Sequence, residues 1–167
     1  MNQDSFIEHL RLVIPPYELF VTTTWQNNRL IHLMPDINPA AEQKYEENST
    51  LSAALQGLLT GRISSFELDI SYIAKGSRFS IDVWAALLTL PYGSTISYKE
   101  LAQMLHTSPR AIGQALNANP LPIIIPCHRV IGSKGELTGF SCGLGVKKIL
   151  LAIEDRQRSA HEDSRYI

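Results

Sequence analysis

Apolar positions recur at helical spacing through the second half of the chain. Phe79, Val83, Trp84 and Leu87 mark one face of a helix that Pro91-Tyr92-Gly93 closes. Ser97-Tyr98-Lys99-Glu100 has the form of a capping box, with Ser97 as N-cap and Glu100 reaching back. The helix it opens turns Leu101, Ala102 and Leu105 inward. After His106-Thr107, Ser108 is a second N-cap and Pro109 sits at the first helical position, where its missing N–H costs nothing. The next helix, about 109–118, turns Ala111, Ile112, Ala115 and Leu116 inward. Two short capped helices joined by a tight turn form a helix-turn-helix pattern, whose second helix is the one presented to DNA; the same spacing fits an ordinary helical hairpin.

Beyond Asn119-Pro120, three isoleucines bracketed by Pro122 and Pro126 predict a buried strand ending at Cys127-His128-Arg129. Gly132-Ser133-Lys134-Gly135 predicts a hairpin turn, and residues 139–143 a glycine-bounded loop. A last helix, about 144–155, carries Val146, Ile149, Leu150 and Ile153 on one face, with Glu154 beside them. Residues 155–167 are charged, lack apolar periodicity and are expected to fray. In the first half, residues 4–12 read as a short helix ended by Pro15-Pro16. Residues 17–24 and 29–34 read as a β-hairpin about Gln26-Asn27-Asn28. Residues 39–47 are helix-compatible, 50–60 helical with Gly61 as a stop, and 66–70 a further strand.

The 167 residues suffice for one full domain or two small ones, and 44% hydrophobic content supports a packed core. The apolar runs are too short for a membrane span, and the N-terminus lacks a signal-peptide pattern, so an intracellular, cytoplasmic protein is expected. Two cysteines make no disulfide framework, and five scattered histidines without Cys-x-x-Cys make no zinc site. The net charge of −1 argues against nucleic acid, but its distribution does not. Residues 92–150 hold Lys99, Arg110, Arg129, Lys134, Lys147 and Lys148 against only Glu100 and Glu136. A polyanion is drawn to that segment.

Cys127 beside His128 and Arg129 has two readings. Cysteine is often a small buried hydrophobe without reactivity; a thiol next to a base is also the beginning of a nucleophile. Tyr98 by itself is a half-buried aromatic at a helix start, and Glu154 a solvated carboxylate at a helix end.

Pro-Cys-His-Arg, Asn119 upstream, the Ser97-Tyr98 helix start, Arg110-Ala111-Ile112-Gly113 and Leu-Leu-Ala-Ile-Glu154 occur here in one order. The combination resembles the O6-alkylguanine-DNA alkyltransferases, over roughly residues 79–154. The resemblance implies an α/β (α+β) chain: residues 1–76 a small ribonuclease-H-like α/β domain with a hairpin sheet, 77–155 a winged-helix-like helix-turn-helix domain carrying the reactive cysteine, 156–167 a tail. It implies direct, one-turnover transfer of an alkyl group from O6-alkylguanine, and from O4-alkylthymine, to Cys127, without cofactor or metal. The thioether product is not hydrolysed, so the protein is spent. On the same resemblance, Cys127, a water, His128 and Glu154 would form a proton relay, Tyr98 would protonate the leaving guanine at N3, and Asn119 would tie the helix–strand turn to the site. The target base is flipped out of the duplex, and Arg110 fills the gap. Ala111 and Gly113 let the second helix approach the minor groove closely, with Thr107 and Ser108 beside it. Val130, Phe140, Ser141, Cys142 and Pro122 wall the base pocket. The partner is double-stranded DNA bearing the lesion, bound by a monomer, at the nucleoid in a prokaryote. Arg129 is read as structural or as a phosphate neighbour.

Two positions depart from the pattern. Phe140 stands where a tyrosine is frequent, and Cys142 where glycine is common; the thiol is expected to narrow the pocket against large alkyl groups, or to pair oxidatively with Cys127. Two other classes compete. An alkyltransferase-like damage sensor binds without repair, but such proteins replace the cysteine. A Cys-His hydrolase needs a glycine-rich oxyanion loop that does not flank Cys127.

Overall fold

The computed structural model describes residues 5–38, 43–47, 49–63 and 76–163. The chain begins with an antiparallel sheet of three strands in sequential order: β1 (Ser5–Ile14), β2 (Tyr17–Gln26) and β3 (Arg29–Asp36). The hairpin between β2 and β3 turns on Asn27 and Asn28, both at positive φ, as a two-residue loop of this kind requires. The helix expected over 4–12 is instead β1. Phe6, Ile7 and Leu10 happen to fit helical spacing, but Leu10, Leu12 and Ile14 alternate onto the buried face, and pairing with β2 along all ten residues makes period two prevail. A bulge at Thr24/Trp25 lets Leu30 and Leu33 of β3 both face inward although they are three apart.

Residues 43–47 are not helical: Glu46 bridges to Leu10 and caps part of the outer edge of β1. Helix α1 (Thr50–Leu59) is capped by Ser49, buries Leu51, Leu55 and Leu59 and stops at Gly61, φ 68°. The strand expected over 66–70 lies outside the described residues.

The second unit follows its hydrophobic pattern closely. Helix α2 (Arg78–Leu88) buries Val83, Trp84 and Leu87, and the Trp84 indole donates to Ala115 O at 2.9 Å. A two-residue strand β4 (Ile96–Ser97) leads into α3 (Tyr98–Met104), whose capping box forms as the sequence predicts, and α4 (Pro109–Asn117) is capped by Ser108. A 3-10 turn (Cys127–Arg129) precedes β5 (Val130–Ile131), which pairs in parallel with β4. Gly132–Gly135 is a tight turn, with Gly135 N donating to Gly132 O, but it joins no pair of hairpin strands. Helix α5 (Leu144–Asp163) runs eight residues beyond the expected end at 155. The stretch expected to fray is held by tertiary anchors that periodicity does not show: Arg156 donates to Pro15 O at 3.2 Å, and the Arg158 stem lies against Gly93.

The sheet grips the second unit directly. Leu33 N donates to Pro120 O at 2.9 Å, and a Cβ at Gly145 would lie 2.7 Å from Ile37 Cδ1, so the start of α5 must be bare there. Among the described residues, no helix is long and apolar enough to cross a membrane.

Candidate active site

The isoleucine run is not a strand. Leu121 through Cys127 are all buried, but the backbone folds into a turn, with Ile125 N bonded to Leu121 O at 2.9 Å and Ile123 at φ 77°. A β-branched residue in that region costs on the order of 1–3 kcal/mol, which the surroundings must offset. Asn119, itself buried, does much of this. Its Oδ1 accepts from Leu121 N and its Nδ2 donates to Ile125 O, both at 3.0 Å, so one amide closes a turn that has no ladder to satisfy it. The same Nδ2 lies 3.0 Å from Cys127 Sγ. Pro126, at φ −79° and ψ 61°, then directs Cys127 N back to Ile125 O at 2.7 Å and starts the 3-10 turn. Burial pushes the Cys127 thiol up to about 12, against the opposing pull of the Asn119 N–H. At rest it is a thiol, and a base is required to make it a nucleophile.

An imidazole stands next in the chain. The fully buried His128 bonds Glu154 Oε1 through Nε2 at 2.9 Å, while its Nδ1 is buried without a partner among the described residues. With Nε2–H donating to the carboxylate, the neutral ring presents a lone pair at Nδ1. Glu154 lies on the inward stripe of α5 and is 2% exposed, not solvated. Arg129 donates to both its oxygens through Nε and again through Nη2, and Gly93 N donates to Oε2 at 3.2 Å. Burial alone would raise this carboxyl. Hydrogen bonds and charge from His128 and Arg129 outweigh it and hold Glu154 at about 2. Arg129 is therefore the counterion of Glu154. Its Nη1 also reaches Leu90 O, and its guanidinium lies 5.7 Å from the centre of the Tyr92 ring.

Beside Cys127 opens a cleft of about 150 Å³ lined by Tyr98, Gly113, Leu116, Asn117, Cys127, Gly139, Phe140 and Ser141. Gly113, Leu116 and Asn117 face it together because they are spaced i, i+3, i+4 on α4. The Tyr98 hydroxyl donates to Gly139 O at 3.0 Å; burial, then the neighbouring Cys127, raise its pKa above the ordinary phenol value. Of the expected pocket walls, Phe140 and Ser141 line the cleft. Val130 and Pro122 are buried and do not line it, and Cys142 is a half-buried free thiol outside the lining. Lys147, Arg129's grip on Glu154, and the lining by Leu116 and Asn117 were not anticipated. Lys147 is 0% exposed, and its Nζ donates to Val130 O and Thr138 O, both at 2.7 Å, beneath the rings of Tyr98 and Phe140. Its place between Val146 and Leu150 on the inward stripe of α5 is the signal that could have found it.

On the outer side, Arg110 and Ser108 are exposed, the Ser108 hydroxyl accepts from Ala111 N at 3.2 Å, and Thr107 N donates to Ala102 O at 2.8 Å. A Cβ at Gly113 would meet only Tyr98, at 4.0 Å, so that face of α4 is open. The structure brings Cys127, His128, Glu154, Asn119 and Tyr98 to one locus and leaves Arg110, Ala111 and Ser108 on the adjoining surface. Among the described residues no cluster of His, Cys, Asp or Glu is arranged to hold a metal.

Residues 78–156 match the family model described as "6-O-methylguanine DNA methyltransferase, DNA binding domain". A methylated-DNA–protein-cysteine methyltransferase of Mycolicibacterium paratuberculosis is 39% identical over 161 residues, covering 95% of this chain and 86% of that protein. One from Methanosarcina barkeri is 46% identical over 103 residues, covering 60% of this chain and 64% of that protein, just under two thirds of its length. Among solved structures, the Mycobacterium tuberculosis protein in complex with DNA superposes with TM-score 0.64 at 30% identity, covering 90% of this chain and 94% of that one. The O6-methylguanine-DNA methyltransferase of Pyrococcus kodakaraensis shares the fold at TM-score 0.69 and 24% identity, covering 89% and 99%.

Proposed function

This chain belongs to the methylated-DNA–protein-cysteine methyltransferases, so its work is DNA repair by alkyl transfer, and we propose that Sγ of Cys127 is the acceptor and O6-alkylguanine in duplex DNA the donor. One observation carries this reading: the buried, unpartnered Nδ1 of His128, set by the Nε2–Glu154 bond to act as a base next to a thiol that Asn119 holds at the cleft.

The thiol proton passes through one water to Nδ1 of His128, and Glu154 with Arg129 stabilises the imidazolium that forms. The S–C bond forms as the bond between the alkyl carbon and guanine O6 breaks. The leaving guanine takes a proton at N3 from Tyr98, and the proton on His128 returns to the phenolate through solvent. Guanine is restored and Cys127 becomes a thioether. Displacement at saturated carbon needs a soft nucleophile, which thiolate supplies. Hydrolysis of the thioether has no comparable assistance, so each molecule turns over once.

The base reaches the cleft by flipping out of the stack. Arg110, on the exposed start of α4, takes its place, and the small residues Ala111 and Gly113 let α4 enter the minor groove. O4-alkylthymine presents the same electrophilic alkyl carbon on an exocyclic oxygen. The working form is a monomer of two units divided near residue 76, acting in the cytoplasm.

Intact-mass measurement after incubation with an oligonucleotide duplex bearing O6-methylguanine tests the reading. A single methyl adduct, absent in Cys127→Ala, is expected. Binding without an adduct would show a damage sensor instead, and an acyl adduct from an ester probe without a methyl adduct a hydrolase.

A further inference from the structure

The relay is built on α5 and the 3-10 turn, yet two of its supports come from the loop after α2. Gly93 N donates to Glu154 Oε2 at 3.2 Å, and Leu90 O accepts from Arg129 Nη1 at 3.1 Å. What holds that loop is Tyr92. Its hydroxyl donates to Leu59 O at 2.6 Å, the last carbonyl of α1, which as a helix-end acceptor has no partner within its own helix. Its ring lies under the Arg129 guanidinium. The ring is also packed against Gly61, where a Cβ would sit 3.0 Å from Cε1. Gly61, at φ 68°, thus serves twice: it ends α1, and its bare Cα leaves room for the ring.

We propose that Tyr92 is a positioning residue: through it the end of α1, in the N-terminal unit, holds the Glu154–Arg129 pair in register with His128. The proposal rests on the alkyl-transfer reading above. Without the hydroxyl anchor the Leu90–Gly93 loop is free to move, Glu154 loses its backbone donor and Arg129 its carbonyl brace. The carboxylate then orients His128 less well. The contacts of this loop run to α1, Glu154 and Arg129 and not to Arg110 or Ser108 of the α4 surface, so the effect falls on the transfer step and not on binding.

Tyr92→Phe keeps the ring over Arg129 and removes only the hydroxyl. Gly61→Ala keeps the hydroxyl and displaces the ring. Single-turnover transfer from an O6-methylguanine duplex, measured over protein concentration, separates the rate constant from the Kd for DNA. Both variants are expected to slow transfer by about three- to tenfold, the range set by one neutral hydrogen bond, with Kd within twofold of wild type. The split itself, a slower rate constant at unchanged Kd, is a readout that a merely structural role would not give, and beside it the Gly93 amide hydrogen exchanges faster in Tyr92→Phe. A folded Tyr92→Phe with wild-type rate and unchanged Gly93 exchange overturns the proposal. Absence of any methyl adduct on the wild-type protein overturns the alkyl-transfer reading itself, a separate result in the same assay.

Discussion

Replacing Asn119 is the sharpest test of how the nucleophile is mounted. Its side chain makes three contacts at 3.0 Å: Oδ1 with Leu121 N, and Nδ2 with Ile125 O and with Cys127 Sγ. Asn119→Ala orphans one backbone donor and one backbone acceptor in a region where Leu121 and Ile125 are 2% and 0% exposed. Each unsatisfied buried group costs about 1–3 kcal/mol, so a loss of about 2–6 kcal/mol is expected. Against a typical total of about 5–15 kcal/mol, that is a large share. It adds to the strain already stored at Ile123, φ 77°. Asn119→Asp tests reactivity. The carboxylate still accepts from Leu121 N but donates to neither Ile125 O nor the thiol, and its charge pushes Cys127 further up from about 12. Urea unfolding followed by tryptophan fluorescence measures the first effect, and the rate of iodoacetamide modification at fixed pH the second. Asn119→Asp should react more slowly with iodoacetamide than wild type, and its buried carboxylate, unpaired against Ile125 O, should leave it no more stable than Asn119→Ala. An Asn119→Ala midpoint shifted by less than about 0.5 kcal/mol, the noise of surface substitutions, would refute the account of the turn.

The remaining predictions concern the carboxylate and the DNA face. Glu154 is held at about 2 in the folded protein, below its unfolded value, so its contribution is present above about 4.3 and is lost as pH falls through that window toward about 2. Glu154→Gln should flatten acid unfolding there and, by leaving the 11%-exposed Arg129 without a counterion, lower stability at neutral pH by about 3–5 kcal/mol, read from denaturant melts. Arg110→Ala should slow transfer from duplex DNA and reduce the salt dependence of binding by about one ion per site, while leaving the reaction with free O6-benzylguanine unchanged; an equal loss on the free base would remove Arg110 from the flipping step.

The division between what the residues announce and what the fold settles follows the range of the interactions. Caps are local: Ser97, Glu100, Ser108 and Pro109 state their helices within four residues, and both helices form where the sequence predicts them. The hairpin at Asn27-Asn28 is equally local. Cys127, His128, Asn119, Tyr98 and Glu154 were legible as one site only because their motifs occur together in order; taken singly, each had an ordinary structural reading. Short apolar stretches were not legible. Phe6, Ile7 and Leu10 fit a helix until β2 supplies a partner strand, and the Ile123–Ile125 run looks like a strand until the Asn119 amide closes it into a turn. Buried charge was the least visible of all. Arg129, Lys147 and Glu154 are polar letters that composition assigns to the surface, and only tertiary packing, by bringing carboxylate to guanidinium and ammonium to carbonyl out of water, makes their burial tolerable and turns them into parts of the site.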